Sequence, residues 1–187
     1  PKERTTHSVT GIYRGSHGAH LWQMNVRSDH TDQYGQQNTG AVSYGYLLSP
    51  SWRLHANVGT GFRAPTFNEL YYPGYGQTQI RPEKSRNSEL SLRYDDGQQQ
   101  ASLTTYRNRV RDLIVTQNPC SVSGYSYGCA NNVNSAVLEG LSAHYAYQWA
   151  DVAQWGVDMD WQNPHDVRSG KLLPRRAKRH VSLFAAH

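Results

Sequence analysis

The feature that most constrains this chain is a strict two-residue alternation of apolar and polar side chains, carried through long runs whose connections are by turns short and long. In the run 52–58, Trp52, Leu54, Ala56 and Val58 share one face while Arg53, His55 and Asn57 share the other, because successive side chains of a strand point to opposite sides. Trp22, Met24 and Val26 repeat the pattern, as do Leu90, Leu92 and Tyr94, and then Trp155, Val157, Met159 and Trp161. One face suits an apolar medium and the other suits water. Short connections at one end and long ones at the other are what an antiparallel membrane barrel requires.

The pattern predicts an all-β chain of about nine strands, over roughly 5–14, 19–29, 38–48, 51–61, 86–95, 99–109 (extending toward 116), 133–149, 153–162 and 178–187. The connections near 15–18, 49–50, 96–98 and 150–152 are short, and those near 30–37, 62–85, 117–132 and 163–177 are long. Trp22, Tyr46, Trp52, Tyr94, Tyr147, Trp149 and Trp155 then fall at the short-turn end as one aromatic girdle. The mean hydropathy of −0.77 does not oppose this reading, since a barrel strand gives only alternate residues to lipid. No run approaches the roughly 18 apolar residues of a spanning helix. The 13 Tyr and 5 Trp, against 3 Phe, favour rings with a polar tip, which settle at membrane interfaces. A soluble β-sandwich also alternates. Its strands are usually shorter than these, about 5–6 residues, and its solvated face would not carry so many Trp and Tyr.

The segment Gly59-Thr60-Gly61-Phe62-Arg63-Ala64-Pro65-Thr66-Phe67-Asn68-Glu69-Leu70-Tyr71 resembles a segment of TonB-dependent outer-membrane receptors, in the C-terminal part of their barrel. Further segments agree in order and spacing: 26–30 leading into Tyr34-Gly35, then Arg81-Pro82-Glu83-Lys84-Ser85, then 106–114, then Asn132-Val133 with Ala136 and Gly140. Within that family, Leu172-Leu173-Pro174-Arg175-Arg176-Ala177-Lys178 looks like the segment found at this place in cobalamin receptors. The resemblance implies TonB-dependent uptake of a corrinoid across the outer membrane of a Gram-negative bacterium. Siderophore and haem receptors share the other motifs and are the rival reading, and a passive barrel or adhesion domain is the rival from another class. The chain departs from the family in having Ser142 where an acid usually follows Gly140, and Gln77-Thr78-Gln79 where Asn-Pro usually precedes the Pro-Glu-Lys-Ser element.

The same resemblance implies a barrel of about 22 strands around a plug that contacts TonB. About nine strands cannot close it, so residues 1–187 are expected to be a fragment of such a barrel, with the plug and remaining strands absent. The family also assigns the sides, with short turns periplasmic and long loops outside.

Cys120 and Cys129 sit in one long loop and are expected to pair, as suits an oxidising compartment, two free thiols being the alternative. No metal site or cofactor is expected, because two cysteines in a loop without a nearby His fall short of four ligands. Asp158 and Asp160 share the water-facing side, where lining is the plainer account than acid–base work. No nucleophile motif, phosphate loop or dinucleotide fingerprint appears, so no enzymatic activity is expected. A net charge of +5 invites nucleic acid, yet the run 175–179 lies at the outer end of a strand, where lipopolysaccharide phosphates are the natural counter-charge; no nucleic-acid partner is expected. Substrate contact is assigned to the loop aromatics Tyr71, Tyr72, Tyr75, Tyr125 and Tyr127, with packing of the loops on themselves as the competing role.

Overall fold

A computed structural model describes residues 3–125, 128–150, 152–173 and 177–186. The alternating runs form strands β1 (Thr6–His17), β2 (His20–Thr31), β3 (Gly35–Leu47), β4 (Trp52–Arg63), β5 (Glu83–Asp95), β6 (Gln99–Gln117), β7 (Cys129–Trp149), β8 (Ala153–Asp166) and β9 (Arg179–Ala186), with one short helix, α1 (Phe67–Tyr71). Among the described residues they make a single antiparallel sheet of nine strands in sequence order. The sheet is open, with β1 and β9 pairing only inward. No helix of the described residues is long and apolar enough to cross a membrane; the strands are the candidates to do so. A strand of twelve residues such as β4, rising about 3.3 Å per residue at a tilt of about 40°, climbs about 30 Å.

The register places the alternation on two continuous faces. Tyr44, Ala56, Leu90 and Thr105 lie in line across β3 to β6, and Tyr46, Leu54, Leu92 and Leu103 in the next row. This outward face is exposed and apolar, with Val26 at 66%, Val58 at 56%, Leu103 at 49% and Leu183 at 80% accessible. A solvated sheet would not leave such a surface bare. The opposite face is a ladder of polar pairs: Ser43 donates to Asn57 and Thr104 to Ser91, each at 2.8 Å, and His144 Nδ1 meets Asp158 at 2.7 Å. Ser142 bonds Asp160 on the same ladder. These pairs satisfy the polar groups that the pleat turns inward.

At the short-turn end the expected girdle is in place. Trp52 meets Tyr94 with ring centroids 5.0 Å apart, and Tyr147 meets Trp155 at 5.9 Å. Tyr145 joins them against Trp155 at 5.7 Å. Gly15 leaves room for Trp22, since a Cβ there would lie 2.3 Å from the indole nitrogen. The turn between β5 and β6 closes on Asp96, whose carboxylate accepts from the backbone of Gln98 and Gln99, while Gly97 adopts φ +87°, a conformation that favours glycine.

At the other end the strands run further than the pattern suggested. The long loop expected at 30–37 is a tight connection over 32–34, because β2 and β3 stay paired as far as Thr31↔Gly35 and Thr31 Oγ1 caps the turn by accepting from Tyr34 N at 2.9 Å. Polar residues such as Gln36 and Gln37 read as loop, but Gln36 hydrogen-bonds to Ser28 and Asn38 along an extended strand above the apolar band. The long connections are 64–82, 118–128 and 167–178.

Candidate functional site

The loop end is organised by one charge cluster. Arg63, the last residue of β4, donates to both oxygens of Glu83 at 2.8 Å and reaches both oxygens of Glu69 at 3.2 Å. Glu83 also accepts from the backbone of Ile114 in β6 at 2.8 Å. Glu69 closes a capping box at the start of α1: Thr66 Oγ1 accepts from Glu69 N at 3.2 Å, and the Glu69 carboxylate accepts from Thr66 N at 2.7 Å. Burial raises the Glu69 pKa, but the Thr66 backbone bond and the Arg63 guanidinium outweigh it and hold the carboxyl below its ordinary value. The forked guanidinium thus ties β4, α1 and β5 together, and through Glu83 it ties β6.

A second tie lies beside it. Asn132 presents its amide to the backbone of residue 81, accepting from Arg81 N at 2.9 Å and donating to Arg81 O at 3.0 Å, and it also donates to Asp112 O at 2.6 Å. The Arg81 side chain pairs with Asp112 at 2.7 Å. Asp112 has φ +54°, a conformation that Asp tolerates better than bulkier residues.

The quoted motif residues therefore converge. Gly61 lies against Ser85, whose Oγ would lie 2.6 Å from an added Cβ and would have to turn aside. Pro65 is fully buried, and its carbonyl accepts from Arg4 at 2.8 Å. Ala64 and Pro82 begin and end the connection between β4 and β5. Phe62 and Lys84 are cross-strand partners on the outward side, opposite in sense to Glu83 and Ser85.

Above these ties the loops pack on a small apolar cluster of Leu70, Ile80, Ile114 and Ala130, against which Tyr71 and Tyr75 lie. Cys120 and Cys129 form a disulfide with Cα atoms 5.4 Å apart. The bridge anchors the 118–128 loop at the foot of β7, where Ala130 N donates to Tyr75 O at 2.9 Å.

The structure brings four of the five candidate tyrosines to this rim, in unequal roles. Tyr75 hydroxyl pairs with Thr116 at 3.0 Å, Tyr125 donates to Gly76 O at 2.9 Å, and Tyr71 accepts from Gln33 at 3.0 Å. These three are half-buried members of the loop packing. Tyr72 is 58% exposed and is the one of the four presented outward to solvent. Tyr127, and Pro174, Arg175 and Arg176 of the basic run, lie outside the described residues. Leu173 of that segment is buried and donates its N–H to Pro164 O at 3.0 Å, so the stretch folds back along β8.

Three contributors escaped the sequence reading. Glu69 was legible as the fourth residue of Thr66-x-x-Glu69, a capping-box pattern. Gln33 and Arg4 were not, since nothing local links them to a loop that starts far later in the chain. Among the described residues no group of three or more His, Cys, Asp or Glu is placed to hold a metal ion.

Comparison with known proteins bears on this arrangement. Residues 19–187 match the family described as TonB dependent receptor-like, beta-barrel. The vitamin B12 transporter BtuB of Vibrio vulnificus is 31% identical over 165 residues, 88% of this chain and 26% of that protein. That of Photobacterium profundum is 31% identical over 179 residues, 95% of this chain and 29% of that protein. The chain thus spans between a quarter and a third of these relatives. Among solved structures, a mutant ferric enterobactin receptor (PfeA) from Pseudomonas aeruginosa in complex with enterobactin superposes with TM-score 0.79 at 19% identity, over 97% of this chain and 30% of that one. The copper transporter OprC gives 0.79 at 18% identity, over 96% and 31%. Both share its fold. With its residues 19–187 matched by the family and its sheet built as theirs is, this chain belongs to the TonB-dependent receptor β-barrel family.

Proposed function

We propose that this chain is a portion of the barrel wall and outer loops of a TonB-dependent receptor that imports cobalamin through the outer membrane of a Gram-negative bacterium. The observation that carries the substrate is the 31% identity to vitamin B12 transporters along 88–95% of the chain. The membrane assignment is supported by the exposed apolar face and the aromatic girdle at its lower edge. In this reading the plug, the contact with TonB and the remaining strands belong to other parts of a longer protein. Nine strands in an open sheet leave edge groups that lipid cannot satisfy, each at a cost of several kcal/mol. The work of the chain is capture and passage, with no catalysis, no cofactor and no nucleic-acid partner.

The rim supplies the ligand surface. Tyr72 offers an exposed ring, while Tyr71, Tyr75 and Tyr125 hold the loop that presents it; Tyr127 completes the aromatic set by sequence. A broad corrinoid is met well by such surfaces with few fixed polar groups. A ferric siderophore is the competing cargo within the same fold. The test is equilibrium binding by the full-length receptor. Cobalamin is expected to bind and to be displaced only by other corrinoids; a receptor that binds ferric enterobactin and ignores cobalamin overturns the reading.

A further inference from the structure

We propose that the inward face of the sheet carries a neutral lane of carboxamide side chains, Gln23, Asn25, Asn57, Asn87, Asn108 and Gln162, which hands a carboxamide-fringed ligand down the wall from the loop end toward the turn end. The inference deepens the cobalamin reading above and rests on it. The register sets the lane in two adjacent rows. One runs Asn25, Ala41, Gly59, Asn87 and Asn108 across β2 to β6, and the next runs from Gln23 through Asn57 to Gln162 across β2 to β8. Ala41 and Gly59 put little bulk between the amides, and a Cβ added at Gly59 would press on that of Ala41 at 2.9 Å.

Among the described residues these rows hold one charge between β2 and β8. It is Glu89, which accepts from Asn87 Nδ2 at 2.6 Å. The other charges of the inward face flank the lane: Arg27 pairs with Asp29 at 2.8 Å nearer the loops, while Arg53, Arg93, Asp158 and Asp160 stand nearer the turns. Several of the amides are unpaired. Among the described residues Asn108 Oδ1 is buried without a hydrogen-bond partner, and no protein group bonds the carboxamides of Gln23, Asn25 or Gln162.

A carboxamide offers two N–H donors and an accepting oxygen, so it pairs with another carboxamide in either sense. Cobalamin presents such groups around its corrin ring. Neutral hydrogen bonds are also weak enough to be made and broken in turn, as passage requires, whereas bonds to charged groups would hold the ligand in place. An anionic iron chelate would meet no cation on these rows between β2 and β8.

The lane is oblique, which makes it a route and not a ring. Gln23 stands one residue from Trp22 of the girdle, Asn57 five from Trp52, and Gln162 seven from Trp155. At about 3.3 Å per residue and a tilt of about 40°, the row therefore rises by about 15 Å from β2 to β8. The tilt alone, over six interstrand steps of about 4.8 Å, gives about 18 Å, in agreement.

The test uses the full-length receptor in cells that have no other cobalamin receptor, with folding checked by heat-dependent gel migration. Equilibrium binding of labelled cobalamin, with the proton gradient collapsed, is compared with the initial rate of uptake in energised cells. Asn25→Leu, Asn108→Leu and Gln162→Leu combined break no side-chain bond of the protein. That variant is expected to bind cobalamin as the wild type does and to take it up about tenfold more slowly. Ser102→Ala, on the same face in the row of Arg93, should leave both unchanged. Wild-type receptor is also given a corrinoid whose peripheral amides are hydrolysed to carboxylates, so a folding failure of the variant leaves the question decidable. Its uptake per bound ligand should fall about tenfold below that of cobalamin. Unchanged uptake per bound ligand in either arm overturns the proposal. So does a folded variant whose binding falls as far as its uptake, since the amides would then only seat other parts of the receptor. A wild-type receptor that does not bind cobalamin brings down instead the reading on which the lane rests.

Discussion

The two ends of this sheet share one register and one alternation, yet they are built from different chemistry. At the turn end the outward face is aromatic, cross-strand ring pairs such as Trp52 with Tyr94 do the joining, and the connections are minimal. At the loop end the outward face is cationic, and the joining is done by Arg63 with Glu69 and Glu83, by Asn132 and by a disulfide. The difference follows from what each end must hold. A turn of a few residues is determined by its own backbone bonds, whereas the 64–82 and 118–128 loops need ties from strands far away in sequence.

The largest test of that contrast is an arginine moved along the outward face. Leu90→Arg places a charge near the middle of the apolar band and is expected to destabilise the full-length receptor by about 3 kcal/mol, whereas Asn38→Arg, above the band, should cost about 1 kcal/mol or less. Equal costs, measured by reversible unfolding in lipid, would erase the distinction between belt and rim. Next comes the disulfide. Replacing both Cys120 and Cys129 by Ser removes a cross-link worth on the order of 3 kcal/mol in the chain-entropy model, a loss confined to the rim. Proteolysis should accelerate at the 64–82 and 118–128 loops and stay unchanged at the turn end; uniform acceleration would mean that the two ends unfold as one unit.

Arg63→Ala is expected to have a smaller effect, about 2 kcal/mol, discounted because the arginine side chain is 43% exposed. It leaves Glu69 and Glu83 without their cation, and α1 should detach from β4 while the strand pairing below it persists. Loss of cobalamin binding with retained folding is the expected signature, and unchanged binding would separate α1 from the ligand surface.

The contrast also marks how far the sequence could be read. The belt was legible because its signal is local: alternation in Trp52 to Val58, or in Trp155 to Trp161, names the face, and the girdle follows from where the alternation meets a short turn. The rim was legible only as motifs. Arg63 and Glu83 were visible as members of recognised segments, but their pairing is a long-range fact set by register. The connection over 32–34 was misjudged as long because Gln36 and Gln37 carry no apolar partner; above the apolar band, both faces of a strand are polar and the period-two signal vanishes. For the same reason the tyrosines of the loops could be named but not sorted. Only contacts distinguish Tyr75, bonded to Thr116, from the exposed Tyr72.

The smallest test is acid. Glu69 at the rim and Asp96 at the turn end are both held below their ordinary pKa, but by different kinds of partner. Asp96 is held by backbone N–H of Gln99, then by Tyr94 and Gln98, all within its own turn. For Glu69 the burial that opposes ionisation is overcome by Thr66 and by Arg63 from another strand. A depressed carboxyl contributes stability that is fully present above its unfolded-state pKa and is lost as pH falls through the lower folded value. As pH falls below the ordinary carboxyl values, 4.5 for Glu69 and 3.8 for Asp96, therefore, protonation of Asp96 slackens one hairpin, while protonation of Glu69 releases α1 from β4. Cleavage of the 64–82 loop by an acid-tolerant protease should rise over that window. In Glu69→Gln the rise should be flattened, because the amide can still accept from Thr66 but cannot titrate. A loop equally resistant across the window, or an unaltered acid step in the Gln variant, would show that the rim is held by its apolar cluster of Leu70, Ile80 and Ile114 and not by charge.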